Sequence, residues 1–221
     1  MKICAVSDLH GYLPEIPECD LLLIAGDSSP ISLSDPDHQG AWMNSHFAAW
    51  LRRLPAEDIV WIAGNHDTWI ERRGVGRKLS HLPNVTYLQD HWTEVGGLKV
   101  YGSPWTRGVG LPSSWWAFDL LTIPGGADPF AAIPQDVDIV LTHSPPLGIG
   151  DLVSRGQRVG SEELYQRLAQ VEPRLVVTGH IHEDYGVRRL RPGLETIVAN
   201  AALLDEHYRP VSDREPLSFE V

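Results

Sequence analysis

The chain has 221 residues, 43% hydrophobic and 21% charged, a balance ordinary for a globular protein and enough for one sizeable α/β core. Its formal net charge of −11 argues against a nucleic-acid-coating surface, because phosphate backbones are held through Lys and Arg; a small phosphorylated substrate met through bound cations stays open. Two cysteines make no disulfide framework, no run approaches the ~18 apolar residues of a membrane span, and the chain enters a strand without a signal-like stretch, so a cytoplasmic, non-membrane protein is expected.

The first apolar run, 2–6, reads as a buried strand and is followed by Asp8 and His10. A second strand, 21–25, is followed by Asp27. Residues 39–54 predict a helix: Trp42, Met43, Phe47, Trp50, Leu51 and Leu54 recur on one face, and Pro55 ends it. Strand 59–63 leads into Asn65-His66-Asp67. Segment 71–80 is ambiguous, since Gly74 and Gly76 weaken a helix. Gly96-Gly97 reads as a turn before a strand at 98–101. The stretch 102–134 is rich in Pro, Gly and Trp; its length points to function or disorder, and Trp105, Trp115, Trp116 and Phe118 argue against disorder. Strand 139–141 precedes His143, and helix 161–170 starts with Ser161 as N-cap and Glu162 and Glu163 in its first turn. Strand 175–177 precedes His180 and His182, and a last strand signal at 196–198 gives way to a polar tail. Nothing splits the chain, so 1–221 reads as one domain.

Asp8, His10, Asp27, Asn65, His143, His180 and His182 therefore all stand just past strand ends. Ligands of α/β sheets bind outside the carboxyl ends of the strands, so five strands can deliver these donors to one edge. Singly, each residue fits ordinary turn and capping chemistry; the set carries the metal reading. Asp8-x-His10 can point both side chains to one side of an extended backbone, and a carboxylate at the Gly26-Asp27 turn can bridge two ions. The mixed oxygen and nitrogen set suits Zn, Fe, Mn or Ni; it is too nitrogen-rich for Ca and unusual for Mg alone. Seven ligands exceed the needs of one transition metal and suit two sharing a bridge. Two ions ~3.5–4 Å apart clamp the attacking and leaving oxygens of an in-line displacement at phosphorus, and can lower the pKa of a bound water to ~7. His66 can bind a non-bridging phosphate oxygen or protonate the leaving oxygen, with Asp67 fixing its tautomer and keeping it protonated.

Other candidates carry two readings each. Trp105, Trp115 and Trp116 can form a wall that stacks on a nucleobase or aryl leaving group, or close the core under the long loop, the reading favoured. Arg107 can contact a substrate phosphate, although a solvated loop arginine is the favoured reading. Arg72, Arg73, Arg77 and Lys78 can attract anionic substrates, with a solvated face favoured. His38, His46, His81, His91 and His207 have no ligand-like context, and no P-loop or dinucleotide fingerprint is present.

Asp8-Leu9-His10, Gly26-Asp27, Gly64-Asn65-His66-Asp67, Thr142-His143 and Gly179-His180-Ile181-His182 resemble, in order, the motif set of calcineurin-like metallophosphoesterases. Gly102-Ser103-Pro104-Trp105, the stretches 142–148 and 179–186, and Asn200-Ala201-Ala202 further resemble a narrower subgroup, the small metallophosphoesterase-domain-containing proteins. The resemblance implies an α/β fold of two packed mixed β-sheets flanked by helices, a four-layer sandwich. It implies one metal on Asp8, His10, Asp27 and His182, a second on Asp27, Asn65, His143 and His180, and His66 as catalytic histidine assisted by Asp67. Mn and Fe are the ions expected first. Ser144 stands where the subgroup often has Gly, and Ser28-Ser29 follow Asp27 without a nearby acidic residue. Some relatives carry glycine in place of the first histidine of the last motif; His180 is present here. Subgroup resemblance and a chain with little room for a substrate cap favour a phosphodiesterase acting on nucleotide-type or 2′,3′-cyclic diesters. The alternatives are a phosphomonoesterase acting on nucleotides or phosphoproteins, and a low-turnover metal- or nucleotide-binding regulatory protein.

Overall fold

The apolar runs form strands because both of their faces are covered. The computed structural model describes residues 1–74, 79, 82–108 and 116–221. Strands β1 (Lys2–Val6), β2 (Cys19–Ala25), β3 (Ala56–Ile62) and β4 (Val85–Tyr87) lie parallel in that spatial order, and β11 (Leu217–Glu220) pairs antiparallel with β1 at the edge. In the second sheet the order is β5 (His91–Val95), β6 (Leu98–Ser103), β7 (Ile139–Thr142), β8 (Leu175–Thr178), β10 (Ile197–Asn200) and β9 (Gly186–Arg189). Its four central strands are parallel and its two outer pairs antiparallel.

The alternation of side chains along β2 shows the layering. Leu21, Leu23 and Ala25 point into the layer between the sheets, where they meet Val100, Ile139, Leu141 and Val177. Leu22 and Ile24 point the other way, toward Met43, Phe47 and Trp61. A strand buried on both faces reads as a continuous hydrophobic run, which is why these strands were legible. On the far side of the second sheet, α4 (Glu162–Val171) lays Leu164, Leu168 and Val171 against Tyr101, Val140, Val176 and Val198. The result is the four-layer sandwich of two mixed sheets between helices.

The first helical segment starts and stops earlier than periodicity predicts. It comprises α1 (Pro36–Trp42), a single π-helical turn (Met43–Phe47) and α2 (Ala48–Leu51). Asp35 caps it by accepting from the Asp37 and His38 N–H groups, and Pro36 fills the first position, where its missing N–H costs nothing. Leu54 precedes Pro55, and the residue before proline is driven out of the α region, so the helix closes before it. Of the ambiguous segment 71–80, residues 71–73 end α3 (Thr68–Arg73), which is capped by Gly74 in the left-handed region at φ 58°, and residues 75–78 and 80 lie outside the described residues. The Gly96-Gly97 turn has both φ values positive, 55° and 81°, which suits the two-residue link between β5 and β6. β4, β5, β9 and β11 escaped the pattern reading; β11 is in the stretch read as a polar tail, where it alternates Leu217 and Phe219 over only four residues. Among the described residues no helix is long and apolar enough to cross a membrane.

Phe47 is fully buried and packs edge-on against Trp61 at 5.7 Å between ring centroids. Phe47→Ala removes the ring that joins the helical layer to the first sheet and is expected to cost about 3–5 kcal/mol, read as a lower urea midpoint.

Candidate metal centre

The parallel registers bring the strand ends level. Ala25 of β2 lies beside Ile62 of β3, and Leu141 of β7 beside Val177 of β8. A bridge between Ser7 and Ala202 then ties the end of β1 to the segment after β10, joining the two sheets at this edge. Asp8, His10, Asp27 and His180 sit here with φ of 54°, 41°, 51° and 66°. Non-glycine residues rarely adopt such values, and they persist where surrounding contacts over-determine them. Asp8 N donates to Gly26 O at 3.1 Å, His10 N to Asp27 O at 2.9 Å, and His180 N to both Asp8 carboxylate oxygens at 3.1 and 2.9 Å.

Two motif glycines are there because of close approach. A Cβ at Gly64 would stand 2.3 Å from Asp27 Oδ1 and 2.6 Å from His143 Nε2. At Gly179 it would stand 2.0 Å from Ser7 Oγ and 2.2 Å from Asp8 Oδ2. Any side chain there would displace a donor.

The seven expected donors converge. Asp27 Oδ2 lies 3.2 Å from His143 Nε2 and 3.7 Å from His10 Nε2, so one oxygen reaches both halves of the cluster. Asp8 Oδ1 lies 3.1 Å from His182 Nε2 and 4.0 Å from His143 Nε2, and Asn65 Oδ1 is 3.1 Å from His143 Nε2. Asp8, His10 and His182 form one triad with metal-ligand spacing, and Asp8, Asp27 and His143 form another. His143 Nδ1 donates to Ala25 O at 2.6 Å and His182 Nδ1 to Asp205 O at 2.7 Å, which leaves each Nε2 aimed at the carboxylates. A carbonyl holding the far nitrogen is the usual way to orient a histidine ligand. Both ring nitrogens of His10 and Nε2 of His180 are buried without a hydrogen-bond partner. Buried polar atoms are nearly always satisfied, so these orphaned nitrogens beside two buried carboxylates fit a cation.

The electrostatics agree. Burial opposes charge on Asp8, yet His182 and His143 hold its pKa well below the usual carboxylate range; Asp27 is driven down against burial chiefly by His143 and His66. Burial also opposes protonation of His143 and His182, but Asp27 lifts His143 to about 9 and Asp8 lifts His182 to about 9. Burial lowers His10 to about 4, and burial with the neighbouring His143 lowers His180 to about 3. Without metal, two imidazoliums neutralise the two carboxylates while the other two rings stay neutral.

His66 lies between the cluster and solvent, its ring 5.1 Å from His10 and 6.5 Å from Trp116. The His66 backbone N–H donates to Asp27 Oδ1 at 2.7 Å. Asp67 does not hold the His66 ring as expected. Its buried carboxylate accepts from Gly64 N at 2.9 Å, Ser29 N at 2.9 Å and Ser28 N at 3.2 Å, so both oxygens are consumed in fastening the Asp27 turn to the Asn65 turn. Ser28 and Ser29, which stood out for lacking an acidic neighbour in sequence, receive that carboxylate from Asp67 instead. Gln39, which carried no sequence signal, does comparable work: it donates to His66 O at 2.9 Å and accepts from Trp69 N at 3.0 Å and Thr68 Oγ1 at 3.1 Å.

A cleft of about 250 Å³ opens over the cluster and is walled by His66, Trp116, Arg155, Glu183, Glu206 and Tyr208 among others. Trp105 is elsewhere: its Nε1 donates to Asp90 at 2.8 Å and its ring packs edge-on against Phe118 at 5.7 Å, so it closes the core. Arg107 is also outside the cleft and pairs with Glu163 at 3.0 Å, so neither is a substrate contact in this geometry. Trp116 is the tryptophan that reaches the cleft; Trp115, Arg77, Lys78 and His81 lie outside the described residues. Arg73 pairs with Asp37 at 2.9 Å, as a solvated face would. His38, His46, His91 and His207 are exposed. Arg155 and Tyr208 went unnoticed in sequence because each sits in a loop of no regular pattern.

Metal uptake must expel the protons that His143 and His182 hold up to about 9, so roughly two protons should leave per loaded chain at pH 7. Below pH 9 protons compete with the ion, and affinity should climb from pH 7 to 9 and then level. Calorimetric titration of Mn in buffers of different ionisation enthalpy reads both quantities; a pH-independent affinity would contradict the assignment.

The family described as calcineurin-like phosphoesterase matches residues 1–184. Human metallophosphoesterase domain-containing protein 1 is 34% identical over 96% of this chain and 68% of its own length. A UPF0046 protein of Caenorhabditis elegans is 32% identical over 100% of this chain and 81% of its own. A solved structure superimposes with a TM-score of 0.62 at 14% identity, covering 99% of this chain and 98% of the other, a likeness of fold alone. The chain thus belongs to the calcineurin-like phosphoesterase family, on the branch of the metallophosphoesterase-domain-containing proteins.

Proposed function

We propose that the protein is a dinuclear metal-dependent phosphodiesterase acting on small nucleotide-type or cyclic diesters, with Mn or Fe as the preferred ions. The observation that carries this reading is the convergence of Asp8, His10, Asp27, Asn65, His143, His180 and His182, with nitrogens of His10 and His180 buried and without hydrogen-bond partners. Asp8, His10, Asp27 and His182 would hold one ion and Asp27, Asn65, His143 and His180 the other; Asp27 reaches His10 and His143, and Asp8 belongs to both ligand-spaced triads. A bound pair supplies charge neutralisation at phosphorus and a more acidic water.

The chain's own residues do the rest. His66 stands at the cleft floor, where its ring can meet a phosphoryl or leaving oxygen. Gln39 holds the His66 backbone from one side and Asp27 from the other, so the ring is presented by a loop fixed before substrate arrives. Asp67 acts as a positioning residue through the Gly64, Ser28 and Ser29 amides rather than through His66. Arg155 makes no ion pair among the described residues and can meet an anionic substrate at the cleft wall. The half-buried Trp116 offers a face for a nucleobase or aryl group on the leaving side.

On metal-stripped protein with Mn restored, bis-p-nitrophenyl phosphate should be hydrolysed in preference to p-nitrophenyl phosphate. His66→Ala should lower kcat about 10²- to 10⁴-fold with metal content unchanged. Preference for the monoester would replace the diesterase reading by a phosphatase. Full function in the His66→Ala protein would point to a binding role instead.

A further inference from the structure

Residues 201–215 lie beyond the stretch that the family matches, and they fold back over the metal centre. From this loop Tyr208 brings its ring within 4.8 Å of His10, 5.4 Å of His182 and 6.1 Å of His66, edge-on to all three. The residue adopts φ 61°, a left-handed conformation that a bulky aromatic rarely enters. Such a backbone persists only where contacts enforce it, and here they are specific. Tyr208 N donates to Asp205 O at 2.9 Å, and Asp205 N donates to Arg209 O at 2.9 Å. The Asp205 carboxylate accepts from the His207 and Arg209 N–H groups and from the Arg209 guanidinium. Arg214 Nη1 donates to the carbonyls of His182, Ala202 and Leu204.

Asp205 links the two functions of the loop. Its carbonyl accepts from His182 Nδ1 at 2.7 Å and from Tyr208 N at 2.9 Å, so one oxygen registers the tyrosine against a candidate metal ligand. Tyr208 is 39% exposed and lines the cleft, and among the described residues its hydroxyl has no hydrogen-bond partner. The hydroxyl is therefore free to donate to a group bound in the cleft.

We propose that Tyr208 is a substrate-contact residue whose hydroxyl donates a hydrogen bond to a non-bridging oxygen of the bound phosphoryl group. This rests on the phosphoesterase reading above. No proton is transferred in the contact; the phenol stays neutral and supplies a dipole that complements His66.

Tyr208→Phe separates contact from cover because it keeps the ring and loses only the hydroxyl. The Mn-loaded protein and its variant would be compared for metal content, for inorganic phosphate affinity by calorimetry, and for kcat and KM on bis-p-nitrophenyl phosphate. Unchanged Mn content, about 5- to 10-fold weaker phosphate binding and about 10²- to 10³-fold lower kcat/KM are expected. Phosphate affinity and turnover within twofold of the parent would overturn the proposal. So would loss of Mn in the variant, which would make the tyrosine a support for His10 and His182. Should the parent hydrolyse no ester, the phosphoesterase reading fails, and the phosphate titration still decides the contact: weaker binding in the variant supports it, equal binding overturns it.

Discussion

Two carboxylates, Asp8 and Asp27, lie buried where the sheets meet, and their charge sets the terms for everything around them. An ion stripped of water costs several kcal/mol after relaxation unless a counter-charge and hydrogen bonds replace the solvent. In this chain the counter-charge is a ring of histidines, two of them held protonated up to about 9 when no metal is present. Protons can thus stand in for cations, but they leave both nitrogens of His10 and Nε2 of His180 unsatisfied. A bound cation would satisfy the carboxylates together with one nitrogen of each of these rings.

That arrangement requires backbones to come very close at one sheet edge. The left-handed turns at Asp8, His10, Asp27 and His180 aim the donors inward, and each is held by bonds from a neighbouring turn. Gly64 and Gly179 clear the space in which the Asp27, His143 and Asp8 side chains lie. Asp67 and Gln39 then weld the loops into one body, so that the candidate catalytic His66 hangs from a frame fixed on both sides. The central core has a simpler task, which is to keep the strand ends level.

The five strands that deliver the donors were legible because burial on both faces makes them long apolar runs, and each is followed at once by polar residues that a strand end alone does not require. The ordered motifs did the rest. What stayed hidden was of three kinds. Edge strands such as β11 are short and half-exposed, so their alternation is faint. Capping chemistry moved the first helix: Asp35-Pro36 starts it ahead of the apolar periodicity. Positioning contacts depend on three-dimensional proximity: Gln39 lies 27 residues before His66, and Asp205 lies 23 residues after His182. The role expected of Asp67 failed for a related reason, since adjacency in sequence to His66 did not decide which way its carboxylate turned. Trp105 and Arg107 illustrate the same limit: a loop rich in tryptophan and arginine announces packing as readily as recognition.

The dinuclear reading needs carboxylates that reach both halves of the cluster, as Asp27 Oδ2 does by lying 3.2 Å from His143 and 3.7 Å from His10. Electron paramagnetic resonance of the metal-stripped protein titrated with Mn tests it directly. Two ions per chain with the spectrum of an exchange-coupled pair, at the ~3.5–4 Å separation that in-line displacement requires, are expected, and Asp27→Asn should abolish the coupling. A single uncoupled ion at saturation, in a protein that remains folded, would contradict a shared centre and leave the cluster a mononuclear site.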